Sequence, residues 1–320
     1  MRSTELVITP GDPESIGPEV TLKALKGLAP ELRGQSIVLF GSSKPYGKNA
    51  AHLLRQFRGL RIQIIEPPAR STPGWQSGWA VEMAARFVLA APRSRALVTG
   101  PISKERLRRA GYPYQGHTDF LAALTRSSDV SMMLANEIFR VVLVTNHIAL
   151  SEVPSSITPA RLESAARNVV RFCSKDLGLS KTRIALLALN PHAGEAGIMG
   201  SEEERILVPF LKRIRKKYPD VEFTGPHPAD SFFALEASRR KSQRHSAILA
   251  LYHDQGLIPL KLSGFSESMN MTLGLPIIRT SVDHGTAFDI AGKNIADPGS
   301  MIYAIRMALK ILKTRRKHES

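Results

Sequence analysis

Three histidines follow apolar runs of the sequence, near the point where each run ends. His147 closes RVVLVTNH, His192 closes RIALLALNPH, and His253 lies in SAILALYHDQG. Buried strands of an open α/β sheet carry the residues at their carboxyl ends to one edge of the sheet, where ligands bind. Neutral imidazole is a good ligand for zinc and similar ions, and three protein ligands leave coordination positions for a substrate. The three positions therefore suggest one divalent metal site.

The separations between these histidines match no local metal-binding motif, so the argument depends on all three occurring together. One histidine at a strand end more often caps a strand or packs in a core than binds a metal. Asp254 and Glu195 stand close to two of the rings in the sequence, and carboxylates in such positions orient metal-binding imidazoles. For Asp254, capping of the next segment is the alternative.

A further histidine precedes an apolar helical pattern in GYPYQGHTDFLAAL. His117 and Thr118 stand at the entrance of this predicted helix, where free backbone N–H groups favour anions. The alternative for Thr118 is a simple N-cap. The segment thus predicts either an anion site or an ordinary helix start.

The elements that must position these residues alternate along the chain, and this favours an α/β fold with a largely parallel sheet. Apolar runs without period-2 alternation predict buried strands. They are 6–11, 36–41, 95–100, 140–147, 183–192 and 246–256. Helical patterns cover 18–28, 79–91, 159–173, 202–218 and 301–313, and 67–78 is predicted to be a loop.

The composition is that of an ordinary globular protein, with 320 residues, 43% hydrophobic and 22% charged. This length predicts two domains. No apolar run is long enough for a membrane helix, and the first residues carry no export signal. Cys173 is the only cysteine, so no intramolecular disulfide can form, and we expect a cytoplasmic protein.

The formal net charge of +16 admits two kinds of partner. A nucleic-acid-binding protein would use it for phosphate contacts, whereas an enzyme would use it to attract a small phosphorylated anion. The basic clusters 213–217, 238–244 and 313–320 lack interleaved aromatic residues and any nucleic-acid motif. We therefore attribute the charge to a solvated surface or to a species-level charge bias, and we expect no specific nucleic-acid partner. A G-x-G-x-x-G fingerprint is also absent from the sequence, so a bound dinucleotide must be held in another way.

Six segments in order along nearly the whole chain resemble the 4-hydroxythreonine-4-phosphate dehydrogenase family of vitamin B6 biosynthesis. They are ITPGDPESIGPEV, TGPISK, GHTDFLA, LNPHAGEAG, YHDQGLIPLK and NMTLGLPIIRTSVDHGTAFDIAGK. The segment DHGTAFDIAGKNIADP also resembles the adenosine-binding loop of isocitrate and isopropylmalate dehydrogenases. This second likeness implies dinucleotide binding without the glycine fingerprint.

The resemblance implies a three-layer α/β/α sandwich of the isocitrate-dehydrogenase kind, with two domains flanking an active-site cleft. We expect residues 1–128 and 275–320 in the first domain and residues 129–274 in the second. The resemblance also implies a homodimer with the active site at the interface, so that the metal ligands come from two subunits.

The implied reaction is the NAD-dependent oxidation and decarboxylation of 4-phosphooxy-L-threonine to 3-amino-2-oxopropyl phosphate, with NADP as the alternative cofactor. His147, His192 and His253 would hold one divalent ion per subunit, either zinc, magnesium or cobalt. The implied substrate-binding residues are His117, Thr118, Lys261, Asn270 and Arg279. His284, Gly285 and Asp297 would contact the dinucleotide, and Lys104 and Asp230 would assist proton transfer or have ordinary loop roles.

The chain departs from the family pattern near its start, where Glu14 and Ser15 replace a usual Ala-Gly. This adds bulk and negative charge to a turn, and we expect it to affect a nearby loop or cofactor contact. Two other functions stay open. One is a dehydrogenase of the same fold for threonate or erythronate 4-phosphate, and the more distant one is a basic nucleic-acid-binding protein.

Overall fold

The computed structural model describes residues 4–46, 57, 59–69, 71–264 and 266–317. The chain divides into two compact units, residues 1–128 with 266–320 and residues 129–265. The sequence-based boundary after residue 274 lies beyond the strand Met269–Leu273, which belongs to the first unit.

Strands and helices alternate through the described residues. The strands are β1 (Glu5–Thr9), β2 (Ser36–Phe40), β3 (Arg61–Ile65), β4 (Arg95–Thr99), β5 (Ser131–Ala135), β6 (Arg140–Leu143), β7 (Thr182–Leu187), β8 (Val221–His227), β9 (Ala247–Ala250), β10 (Met269–Leu273) and β11 (Ile278–Val282). The helices are α1 (Gly17–Gly27), α2 (Pro73–Leu89), α3 (Lys104–Arg109), α4 (His117–Leu124), α5 (Val153–Ser156), α6 (Pro159–Arg171), α7 (Val208–Lys217), α8 (Ala229–Ser238), α9 (His253–Leu262) and α10 (Gly299–Lys317).

Each of the six apolar runs predicted to be a strand overlaps one, and each of the five helical patterns overlaps a helix. The predicted loop 67–78 is wrong in its second half, because α2 begins at Pro73. Thr72 accepts a hydrogen bond from the Trp75 backbone N–H at 3.3 Å, and Pro73 occupies the first helical turn. The Thr-Pro pair is thus a helix start rather than a linker.

The sheet of the first unit is mostly parallel. β3, β2, β1, β4 and β11 lie side by side in parallel, and β10 pairs antiparallel with β11. The middle residues of β1, β2 and β4 are almost entirely buried, which explains why their sequences lack alternation. Helix α2 packs against β1 and β4, and α10 packs against β11 and β4. This arrangement fixes the register of β4, β11 and β10, which carry several predicted site residues.

The sheet of the second unit has β5 antiparallel to β6, followed by β9, β7 and β8 in parallel. Its core includes Phe139, Leu187, Ile248 and Leu257. Helix α9 packs directly on β6 at Gly256, where an added Cβ would lie 2.4 Å from Val141 Cγ1. This close approach requires glycine and sets the position of His253 at the start of α9.

Both units combine helices with a predominantly parallel sheet, so the predicted α/β class is confirmed. Within the described ranges, we find no helix with the length and apolar character that a bilayer crossing requires. Cys173 is buried, and burial raises the pKa of its thiol to about 12. The thiol is therefore protonated and unreactive at neutral pH.

Candidate active site

Arg279 is a buried cation in the second position of β11. Its side chain is 2% exposed, yet no carboxylate among the described residues forms an ion pair with it. Thr99 Oγ1 accepts hydrogen bonds from Nε at 3.2 Å and from Nη2 at 2.8 Å, and Thr272 Oγ1 accepts one from Nη1 at 3.0 Å. Burial lowers the pKa of Arg279 to about 9, so the guanidinium is still charged at neutral pH. A buried charge without a counter-ion is costly, and a bound anion would supply the missing partner.

His117 and Thr118 form the first turn of α4, and the N-cap is Gly116. The simple N-cap alternative for Thr118 is therefore wrong. Thr118 Oγ1 lies 3.4 Å from Thr272 Oγ1, which also binds Arg279. The His117 Nε2 atom is buried and has no hydrogen-bond partner among the described residues. Burial, and secondarily the charge of Arg279, hold the pKa of His117 well below its ordinary value, so this imidazole is neutral.

Asn270 joins the same region through the register of the sheet. On β10 it lies opposite Ser281, two residues after Arg279 on β11. Asn270 Oδ1 is buried and has no hydrogen-bond partner among the described residues. Buried polar atoms are normally hydrogen-bonded, and exceptions at one place indicate a missing ligand or water. The structure therefore brings four of the predicted substrate residues, His117, Thr118, Asn270 and Arg279, to one region of the first unit.

Lys261, the fifth predicted substrate residue, lies in the last turn of α9 in the second unit and is half-buried. Its helix begins at His253, so one element carries a predicted substrate residue and a predicted metal ligand. The spacing from His253 to Lys261 is about two helical turns, which places both on one face of α9.

His147 and His253 come together, as adjacent strands ending at one edge predict. β6 and β9 are parallel neighbours, and the pairing continues beyond them, with Val144 N donating to Ala250 O at 2.9 Å. The two ring centroids are 5.5 Å apart. Asp254 Oδ1 lies 2.7 Å from His253 Nδ1, so the carboxylate orients this ring and directs Nε2 away from it.

His192 lies in an unusual backbone segment after β7. The φ angles of residues 192–196 are 50°, 54°, 80°, 42° and 54°, so this is a left-handed turn in which only Gly194 is a glycine. Such residues cost roughly 1–2 kcal/mol each, and strained backbone clusters at functional sites. Glu203 holds the start of the segment, because Oε1 accepts the backbone N–H groups of Leu189 and Asn190 at 2.8 and 2.9 Å.

Across the described ranges, no three histidine, cysteine, aspartate or glutamate side chains lie close enough to bind one ion. The structure therefore brings His147 to His253 but does not bring His192 to this pair. His192 is exposed, with its ring on the surface of the second unit.

The predicted dinucleotide residues lie in the segment between β11 and α10. His284 Nδ1 lies 2.9 Å from Gly285 O, and the other ring nitrogen, Nε2, is buried with no hydrogen-bond partner in the described chain. Asp297 Oδ1 accepts the Gly299 backbone N–H at 2.8 Å and so caps α10. Its carboxylate is exposed, but one oxygen already has this structural role.

Helix α1 holds the end of this segment. Glu19 Oε1 accepts the Ala296 backbone N–H at 2.8 Å, and Lys23 Nζ donates to the carbonyls of Asn294 and Ala296 at 3.0 and 2.9 Å. The two side chains also pair with each other at 2.9 Å. The loop that resembles an adenosine-binding segment is thus fixed from the amino-terminal part of the chain.

The replacement of Ala-Gly by Glu14 and Ser15 has visible contacts. Arg106 Nη1 lies 2.7 Å from Glu14 Oε2 and 3.2 Å from the buried Asp12 Oδ1. The Arg106 guanidinium lies 4.4 Å from the ring centroid of Phe288, which belongs to the 283–297 loop. The acidic replacement therefore acts on a nearby loop through Arg106.

Lys104 and Asp230 are exposed, in the first turns of α3 and α8. Asp230 accepts a long hydrogen bond from Ser231 at 3.5 Å. Within the described residues, neither side chain bonds to a predicted substrate or metal residue. Their proton-transfer roles stay predictions.

The sequence reasoning did not select Thr99, Thr272 and Ser281, although the resembling segments TGPISK, NMTLGLP and RTSVDHG contain them. Hydroxyl residues inside apolar strands were the available signal. Only the pairing of β11 with β4 and with β10 shows that Thr99 and Thr272 contact Arg279 and that Ser281 bonds to Thr99.

Residues 62–308 match the family model described as pyridoxal phosphate biosynthetic protein PdxA. The chain belongs to the PdxA family. A PdxA relative from Paracoccus denitrificans (strain Pd 1222), named 4-hydroxythreonine-4-phosphate dehydrogenase, is 41% identical over 95% of this chain and 96% of its own.

Another relative in the comparison, from Bradyrhizobium diazoefficiens, is named putative D-threonate 4-phosphate dehydrogenase. It is 38% identical and covers 97% of this chain and 97% of its own. PdxA relatives are thus named dehydrogenases, and the chain is an oxidoreductase of this family.

Solved structures agree with the family and the fold. The crystal structure of 4-hydroxythreonine-4-phosphate dehydrogenase from Klebsiella pneumoniae has a TM-score of 0.79 and 34% identity, covering 97% of this chain and 98% of its own. Isocitrate dehydrogenase from Methylococcus capsulatus has a TM-score of 0.54 at 17% identity, covering 99% of this chain and 88% of its own. The predicted isocitrate-dehydrogenase-like fold is confirmed.

Proposed function

We propose that this PdxA protein oxidises and decarboxylates 4-phosphooxy-L-threonine to 3-amino-2-oxopropyl phosphate, with NAD as hydride acceptor. The observation that carries this proposal is the buried Arg279, whose guanidinium is bound by threonine hydroxyls and by no carboxylate in the described chain. A protein rarely buries such a charge without a use for it, and a phosphorylated amino acid supplies the anionic groups that it needs.

The first unit binds the anionic substrate in this proposal. Arg279 contributes charge and a planar set of donors, and the neutral His117 contributes its buried Nε2, while Asn270 offers its buried Oδ1 as an acceptor for the substrate hydroxyl group. Because these atoms have fixed positions before the substrate arrives, little conformational entropy is lost on binding. Lys261, on the helix that begins with His253, adds a second cation for the other anionic group.

The second unit holds a divalent ion, either zinc, magnesium or cobalt. His147 and His253 fit this role, because their rings face each other at 5.5 Å and Asp254 orients one of them. We propose that the chain forms a homodimer and that the exposed His192 of one subunit completes the ion site of the other. When bound, the ion supplies Lewis-acid polarisation of the substrate oxygen.

The segment 283–297 binds the dinucleotide in this proposal, through His284, Gly285 and Asp297. The buried, unpartnered Nε2 of His284 supports this role. NAD is the proposed cofactor and NADP is the alternative. Lys104 and Asp230 are the proposed proton-transfer residues, and the cytoplasm is the proposed location, consistent with a single buried cysteine.

A second candidate substrate is D-threonate 4-phosphate, which the name of the Bradyrhizobium relative favours, and erythronate 4-phosphate is a third. These compounds share the phosphate, the carbinol and the carboxylate with 4-phosphooxy-L-threonine but lack its amino group. The residues described above recognise the shared groups, so substrate choice requires a measurement.

The test is NADH formation with a panel of these phosphorylated hydroxy acids, after chelation and with each metal ion restored in turn. We expect the highest kcat/KM with 4-phosphooxy-L-threonine and no turnover without metal. Higher kcat/KM with a threonate or erythronate phosphate would replace the proposed substrate. Tight, sequence-specific nucleic-acid binding at physiological salt with no NADH formation would instead favour the nucleic-acid hypothesis.

A further inference from the structure

Thr99 occupies a special position in the first unit, at the end of β4. In the sheet it pairs with Thr9 of β1 on one side and with Ser281 of β11 on the other. Thr99 is completely buried, and its hydroxyl lies against the guanidinium of Arg279.

The hydrogen bonds fix the direction of the Thr99 hydroxyl. Ser281 Oγ donates its proton to the Thr99 carbonyl oxygen at 3.0 Å. Thr99 Oγ1 therefore donates its own proton to Ser281 Oγ, also at 3.0 Å. A hydroxyl has one proton and two acceptor lone pairs. Both lone pairs of Thr99 are thus left for Arg279, and they accept from Nε and Nη2.

These bonds leave part of the guanidinium free for a ligand. A guanidinium has five N–H groups in a fixed plane. Thr99 takes two of them and Thr272 takes one, which leaves one N–H on each terminal nitrogen without an acceptor in the described chain. A planar group held at three of its donors cannot rotate, so the other two keep a fixed direction.

The hydroxyls that accept hydrogen bonds from Arg279 are neutral. Their neutrality is as important for anion binding as their positions. A carboxylate at Thr99 would hold the arginine at least as firmly, because charge-assisted pairs are the stronger ones. It would also neutralise the charge that attracts an anion. Hydroxyls fix the guanidinium while they leave its positive charge uncompensated.

We propose that Thr99 is a positioning residue for substrate binding, which orients Arg279 through a neutral acceptor so that the full charge of the guanidinium is available to an anionic group of the substrate. The identity of the substrate in this proposal rests on the proposed function. The anion site itself does not depend on that function. Ser281 supports the role by fixing the hydroxyl direction.

The test is calorimetric titration of inorganic phosphate into the full-length protein and its variants. Thr99→Val removes the acceptor at similar volume, and we expect phosphate binding to weaken roughly tenfold, as loss of hydrogen bonds to a charged group predicts. Thr99→Ser keeps the acceptor and restores binding. Arg279→Met defines the phosphate binding that remains elsewhere on the protein.

The variant Thr99→Asp tests whether the acceptor for Arg279 must be neutral. An aspartate at this position would hold the guanidinium in place but would also neutralise its charge. If the residue only anchors the arginine, the aspartate variant binds phosphate as well as the wild type does, which contradicts the proposal. We expect instead that its thermal unfolding stays cooperative and that phosphate binding falls to the level of Arg279→Met.

Thr9→Val is the matched control. Thr9 is equally buried and lies beside Thr99 in the sheet, but its Oγ1 has no hydrogen-bond partner in the described chain. This variant should bind phosphate like the wild type. Equal phosphate binding by Thr99→Val and Thr9→Val, or no phosphate binding by the wild type, would overturn the proposal. A wild type that binds phosphate but oxidises no substrate contradicts the proposed function alone.

Discussion

Single atoms give the clearest indication of the chemistry of this protein. His117 Nε2, Asn270 Oδ1 and His284 Nε2 are buried and lack hydrogen-bond partners among the described residues. The first two lie with a buried arginine that no carboxylate of the described chain neutralises. Unsatisfied groups of this kind reduce the stability of the free protein, and a bound ligand removes that cost.

Arg279→Lys should raise the KM for 4-phosphooxy-L-threonine at least about tenfold and leave the KM for NAD nearly unchanged. Lysine keeps a charge but loses the planar donors that Thr99 and Thr272 hold in place. Steady-state kinetics with each substrate varied in turn provides the measurement. Equal changes in both KM values would contradict a role confined to the substrate.

Asp254→Asn should weaken cobalt or zinc binding by roughly 10–100-fold. The carboxylate orients His253 from 2.7 Å, and an amide is a weaker partner for the imidazole N–H. Titration of Co²⁺ followed by its visible spectrum measures the affinity. Asp289→Asn, an exposed carboxylate in the other unit, is the control and should bind Co²⁺ like the wild type. Unchanged affinity in Asp254→Asn would remove Asp254 from the ion site.

At the scale of elements, two local structures deliver the predicted metal ligands. Helix α9 approaches the sheet closely because Gly256 has no side chain, and so His253 reaches His147. The left-handed segment 192–196 carries His192, and the buried Glu203 holds its entry. The glycine in α9 avoids a steric clash with the sheet. In the 192–196 segment, hydrogen bonds to Glu203 instead maintain a strained backbone.

Gly256→Ala should destabilise the protein by about 1–3 kcal/mol and weaken metal binding, because the new methyl would lie 2.4 Å from Val141 Cγ1 and displace α9. Denaturant unfolding and Co²⁺ titration measure the two effects. Gly264→Ala, just after the same helix, is the control, since its methyl would meet only Asn136 Nδ2 at 3.5 Å. A stable Gly256→Ala with normal metal affinity would show that the helix position does not control the site.

At the scale of the whole molecule, the three predicted metal ligands do not lie together in one chain. The described residues bring two of them together and place no third ligand beside that pair. An exposed His192 on a left-handed segment is suited to a ligand role in a neighbouring subunit, as the proposed homodimer requires.

Complementation between subunits tests this arrangement. His192→Ala and His253→Ala should each be inactive alone, because each lacks one ligand at every site. Dissociating and reassociating a mixture of the two should restore part of the wild-type turnover, since a mixed dimer contains one intact site. A mixture that stays inactive while mixed dimers form would show that all three ligands come from one subunit.

The sequence alone determined the alternation of strands and helices, the α/β class and the family. These depend on local patterns, since a buried strand or a helix start is a property of a few consecutive residues. It also predicted that His147 and His253 meet, because they follow strands of one parallel sheet.

Only the tertiary structure decided what surrounds those residues. The Thr99 hydroxyl reaches Arg279 across 180 positions of the chain, through the pairing of β4 with β11. The left-handed backbone at His192 depends on Glu203 from the following segment. Strand order, register and the direction of a hydroxyl proton arise from contacts between distant residues, and no local pattern in the sequence specifies them.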